Sequence, residues 1–82
     1  MSQFGFVELA HVEPRIDHTL LLTFASGEKR LYDFKPDLDL PVFAPLKNVG
    51  LFMQAKKHSY AVVWNDELDM ASEALYYNGT PV

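Results

Sequence analysis

The stretch from Thr19 to Phe34 constrains the fold more than any other. Two runs of strand formers, Thr19–Phe24 and Glu28–Phe34, flank the small-residue turn Ala25-Ser26-Gly27 and predict one β-hairpin. A three-residue loop sets Phe24 opposite Glu28, Leu22 opposite Arg30, Leu20 opposite Tyr32 and His18 opposite Phe34, so Leu20, Leu22, Phe24, Tyr32 and Phe34 share one face. A two-residue loop would instead place the first three beside Lys29, Leu31 and Asp33. Because a slip of one residue turns a whole apolar set toward water, the three-residue loop is the expected one, with Gly27 left-handed in a type I turn plus bulge.

A chain of 82 residues makes one domain, here residues 1–82. At that size about 60–65% of the unfolded surface is buried and the expected stability is about 4 to 12 kcal/mol, so a partner or a homodimer would add useful burial. Hydrophobic residues at 49% and charged residues at 22% describe a chain that folds. With no cysteine, disulfides, thiolate metal sites and cysteine nucleophiles are excluded, which is compatible with the cytoplasm as the expected location. The opening Met1-Ser2-Gln3-Phe4 has no basic segment followed by a long apolar run, and no stretch nears the ~20 apolar residues of a membrane span, so no membrane association is expected. A net charge of −4 argues against nucleic acid as a partner, since nonspecific binding there rests on Lys and Arg. The pairs Lys29-Arg30 and Lys56-Lys57 read as solvated strand edges. The acidic balance suits a small basic protein partner.

Upstream of the hairpin, Phe6–Val12 alternates as a first strand, with Val7, Leu9 and His11 opposite Phe6, Glu8, Ala10 and Val12. Pro14 breaks its ladder and Asp17 closes a turn through its side chain. Downstream, Lys35–Pro41 holds two prolines and two aspartates and predicts an irregular crossing. Val42, Phe43, Leu46 and Val49 then fall at helical spacing, with Asn48 and Gly50 as the stop. Leu51–Lys56 reads as a strand entered from a turn, Lys57-His58-Ser59 as a connection, and Tyr60–Trp64 as a strand closed by Asn65-Asp66-Glu67. Ser72 is placed to cap a last short helix, Glu73–Tyr77, ended by Asn78-Gly79. The fold class is therefore α+β: a small, mainly antiparallel sheet of about five strands with two short helices packed on one face.

Taken in order, Thr23–Glu28, Tyr32-Asp33-Phe34, Leu46-Lys47-Asn48 with Phe52, Val62–Asp66, Leu68-Asp69 and Leu75-Tyr76 resemble the prokaryotic domain of unknown function 2442 family. The resemblance covers nearly the whole chain. It departs after the Trp, where the family commonly has Pro and Gly and this chain has Asn65 and Glu67. What it implies is a compact α+β domain of unassigned biochemistry whose members accompany other small proteins in paired, toxin–antitoxin style operons.

The residues that could carry chemistry are few. His11 and His18, with Glu13 and Asp17, are the basis of an alternative reading as a small metal-dependent enzyme, but none of the three histidines makes the short paired spacing that zinc sites favour. Asp33, Asp37 and Asp39 lack the Gly and distal Glu of a calcium loop and read as turn and cap residues. Ser26, Ser59 and Ser72 have no His and acid in a known motif, so no catalytic residue, cofactor or metal is assigned and the chain is not expected to be an enzyme. The candidate partner contact is Trp64 with Asp66, Glu67 and Asp69, a large aromatic beside three carboxylates within four positions. The expected function is a noncatalytic protein-interaction or regulatory module.

Overall fold

The computed structural model describes residues 7–82; the readings that rest on Met1–Phe4 and Phe6 lie outside them. The hairpin is built as expected. Strands β1 (Leu9–Pro14), β2 (Thr19–Phe24) and β3 (Lys29–Asp33) are antiparallel, with Leu20 opposite Tyr32 and Leu22 opposite Arg30. Leu20, Leu22, Phe24, Tyr32 and Phe34 are all buried.

Both turns of this three-stranded unit share one construction. At Phe24–Glu28 the Gly27 N–H donates to Phe24 O at 2.8 Å, the Phe24 N–H donates to Glu28 O at 2.9 Å, and Gly27 has φ +91°. At Arg15–Thr19 the His18 N–H donates to Arg15 O at 3.0 Å, the Arg15 N–H donates to Thr19 O at 2.9 Å, and His18 takes the left-handed position with φ +62°. Asp17 closes this second turn as expected, accepting from the Thr19 hydroxyl at 2.6 Å. Nothing lies within 4 Å of a Cβ built on Gly27, so the cost of a side chain there is conformational. Gly27→Val is expected to lose about 1–2 kcal/mol, read as a lower thermal midpoint, whereas Gly27→Asn should keep most of the stability. Equal midpoints for Gly27→Val and wild type would refute the turn.

The first strand departs from strict alternation. A bulge between Leu9 and His11 adds one residue, Ala10, to the β1 side. Leu9 and Val12, three apart, therefore both face the core, and His11 is exposed.

Between β3 and β4 the chain forms no long helix. Residues Lys35–Asp39 and Pro41–Lys47 are 3₁₀ segments, and the only α-helical turn is α1 (Val49–Phe52). Pro45 is the reason: it has no N–H to give, and its ring clashes with the carbonyl four residues back, which forbids an α-helical ladder through it. Asn48 ends the second 3₁₀ segment as expected, its N–H donating to Pro45 O at 3.2 Å, and also starts α1, its Oδ1 accepting the Leu51 N–H at 3.1 Å; Gly50, expected as part of the stop, lies within α1. Leu51 and Phe52 are helical, not strand; the strand begins at β4 (Lys56–His58), which absorbs most of the expected connection.

Strand β5 (Ala61–Asn65) lies between β4 and β6 (Leu68–Ala71), followed by α2 (Ser72–Asn78) and the two-residue β7 (Thr80–Pro81) on the outer edge of β3. The domain is α+β, as expected, but the described residues form seven strands in two antiparallel sheets, ordered β1-β2-β3-β7 and β4-β5-β6, instead of about five in one. The Leu9 N–H, donating to Ser59 O at 2.8 Å, joins them. Their apolar faces meet in a single core with Leu38, Leu46, Phe52 and Leu75. Ser72 does not cap α2. Its N–H is still held by Tyr60 O at 2.9 Å, so the strand geometry persists to Ala71, which becomes the N-cap, and the Ser72 hydroxyl is buried without a partner among the described residues.

Candidate interaction surface

The turn that carries the candidate contact is made by Asn65. Its Oδ1 accepts the Glu67 N–H at 2.8 Å and the Leu68 N–H at 2.9 Å, a side-chain mimic of a backbone turn. Asp66 and Glu67 occupy the tip, and Asp69 follows on β6; all three are exposed. Among the described residues the ion pairs are Arg15 with Glu13, Arg30 with Glu28 and Lys35 with Asp33, so none involves these carboxylates.

Trp64 lies elsewhere. It is 5% exposed, packed beside Phe34 and Phe52, and its indole N–H donates to Phe52 O at 3.1 Å. Of the four candidate contact residues, Trp64 is therefore a core residue, and only the three carboxylates are exposed. On the segment that Trp64 holds through Phe52, Leu40, Val42, Val49 and Met53 turn outward, each 40–58% exposed.

Arg30 is not a solvated edge cation. The hairpin register puts it on the core side, where its guanidinium bonds Glu28 at 2.7 Å, stacks 4.1 Å from the centre of the Tyr76 ring, and donates to Tyr76 O at 3.0 Å. It thereby satisfies a terminal carbonyl of α2. The Tyr76 hydroxyl completes the group by donating to Glu28 Oε1 at 2.8 Å. Lys29, Lys56 and Lys57 are exposed, but with Arg30 engaged the basic residues do not form one patch.

The histidines are likewise separate. His11 is exposed, whereas His18 is half-buried, its ring 4.8 Å from Phe52 and its Nε2 at 2.9 Å from Leu46 O. A carbonyl only accepts, so that nitrogen carries the proton and is spent. Asp17 Oδ1 is taken by Thr19. Among the described residues no three His, Asp or Glu side chains gather as a metal ion would require.

Three carboxylates give the fold a pH dependence. The Tyr76 hydroxyl, helped by Arg30, holds Glu28 below its ordinary 4.5. The Thr19 hydroxyl holds Asp17, and the Lys35 backbone N–H holds Asp33, below 3.8. A carboxyl depressed in the folded state stabilises it fully above the unfolded value and loses that contribution as pH falls through the folded one. The thermal midpoint is therefore expected to fall as pH drops from about 5 to about 3, with a shallower slope for Glu28→Gln. Parallel curves for the two proteins would show that Glu28 is not held this way.

A model of the family described as "Protein of unknown function (DUF2442)" matches residues 9–81, which takes in the strands and helices from β1 to β7. No curated protein and no solved structure matches the chain. No helix among the described residues is long and apolar enough to cross a membrane. From Leu9 at the start of the first strand to Pro81 at the end of the last, the chain belongs to the DUF2442 family.

Proposed function

We propose that the domain is a noncatalytic interaction module that receives a small basic protein on the acidic turn Asp66, Glu67 and Asp69. The observation that carries this reading is the exposure of three mutually repelling carboxylates without an ion-pair partner among the described residues. They gain little from one another in the isolated domain, and a cationic partner would convert repulsion into attraction and speed encounter. The setting implied by the family resemblance, the acidic member of a two-protein regulatory pair of toxin–antitoxin style, is consistent with this chemistry.

The test is a pulldown from the native host followed by kinetics on the recovered partner. The double reversal Asp66→Lys with Glu67→Lys should leave stability within about 0.5 kcal/mol of wild type. It should slow association, most strongly at low salt where screening is weakest. Wild-type association rates for the reversed protein at low salt would reduce the turn to a solvated loop.

A further inference from the structure

A cleft of about 510 Å³ opens where β3, β6, β7, the first 3₁₀ segment and the end of α2 come together. That volume lies within the range of small-molecule sites. Its built wall is Tyr32, only 7% exposed, whose hydroxyl donates to Asp37 Oδ2 in a short hydrogen bond. Burial, reinforced by Asp37, raises the phenol well above its usual range, so the proton stays on the phenol. Pro36 and Met70 add apolar surface beside the ring.

The polar atoms of the cleft are unequal in kind. The Tyr32 O–H is given to Asp37, and one amide N–H of Asn78 to Ala74 O at 2.9 Å. Asp33 Oδ1 is engaged by the Lys35 backbone and ammonium, each at 3.0 Å. Asp37 Oδ1, Asp33 Oδ2 and Asn78 Oδ1 have no partner in these hydrogen bonds, and Thr80 adds a hydroxyl. An apolar wall bordered by acceptors, two of them carboxylate oxygens, matches a ligand with a methylene stem and a donor-rich cationic end. We propose that this cleft binds an aliphatic ammonium ion, its methylenes along Tyr32, Pro36 and Met70 and its N–H groups on Asp37, Asp33 and Asn78. The site shares no lining residue with the acidic turn, although Met70 directly follows Asp69, and it does not depend on the interaction reading.

The test is a titration followed through backbone amide NMR shifts at constant ionic strength. Cadaverine probes a free diamine, Nα-acetyl-lysine methylamide a lysine side chain presented by another protein, and glutarate serves as a dianion of the same length. Both amines should give saturable shifts at Tyr32, Asp37, Met70 and Thr80, and glutarate none. Tighter binding of cadaverine identifies a free amine as the ligand; equal or tighter binding of the lysine derivative identifies a side chain. Asp37→Asn keeps an acceptor for Tyr32 and should weaken binding at least tenfold. Should that variant lose its native spectrum, Met70→Lys, which sets an ammonium into the wall, should block cadaverine. Absence of saturable shifts, shifts that glutarate reproduces or that centre on Asp66, Glu67 and Asp69, or wild-type affinity in a folded Asp37→Asn or Met70→Lys protein would overturn the proposal.

Discussion

Phe34→Ala is expected to remove about 3–5 kcal/mol, the range for truncating a buried Phe. In a domain whose whole stability is about 4 to 12 kcal/mol, that is enough to unfold a large share of the molecules. Phe34 is fully buried, and its ring centre lies 5.2 Å from Phe43, 5.3 Å from Trp64, 5.6 Å from Phe52 and 5.9 Å from Tyr32. It joins the hairpin, the second sheet and the intervening segment at one point, so the void left by alanine cannot be closed by moving one neighbour. Phe34→Leu retains most of the volume and should cost less than about 1.5 kcal/mol. Denaturant unfolding followed by fluorescence of the single tryptophan, which is itself buried in this cluster, measures both variants. A loss for alanine no larger than for leucine would show that the aromatic group is not the junction described.

Gly79→Val is the second large effect, and it fails for a different reason from Gly27→Val. Gly79 has an ordinary negative φ of −79°, but a Cβ there would lie 2.7 Å from Leu75 O and 3.3 Å from Arg30 Cβ. Both are fixed, the carbonyl by the Gly79 N–H that it accepts at 2.9 Å and the arginine by Glu28 and Tyr76. Overpacking of this kind costs about 1–3 kcal/mol. Valine should reach the upper end, because the shift needed to admit it also draws β7 from β3. The expected result is a lower midpoint together with loss of amide protection at Leu31 and Val82, whose neighbours pair across that edge. A midpoint lowered with β7 still protected would place the strain in α2 alone.

What could be read beforehand depended on how local the deciding interactions are. The hairpin was legible because loop length and side-chain parity decide each other over sixteen positions, and the same register already put Glu28 and Arg30 on the inner face. That clue was enough to find the Arg30–Glu28–Tyr76 group, yet the basic pair was read as an edge because Tyr76 lies far along the chain. Strand β6, Leu-Asp-Met-Ala, has no β-branched residue to mark it, and β7 is two residues long. Their partners define them, so neither the third strand of the second sheet nor the fourth of the first could be seen in the sequence. The acidic turn was legible as composition, but the burial of Trp64 was decided by Phe52, whose helical turn was read as strand. The cleft was invisible for a stronger reason: its walls come from five elements that only the fold brings together.

The segment from Lys35 to Met53 has a peculiarity of attachment. Its backbone-to-backbone hydrogen bonds stay local, and none reaches a strand of either sheet. Besides the burial of Leu38, Leu46 and Phe52, it is tied down by side chains reaching from the strands and their turn: His18 to Leu46 O, Tyr32 to Asp37 and Trp64 to Phe52 O. A strand that leaves a sheet must break a ladder; this segment can lift while both ladders remain closed. It is thus the natural unit of partial opening. Its exposed Leu40, Val42, Val49 and Met53 would move with it, so a partner gripping those side chains would also govern how often the aromatic core meets water.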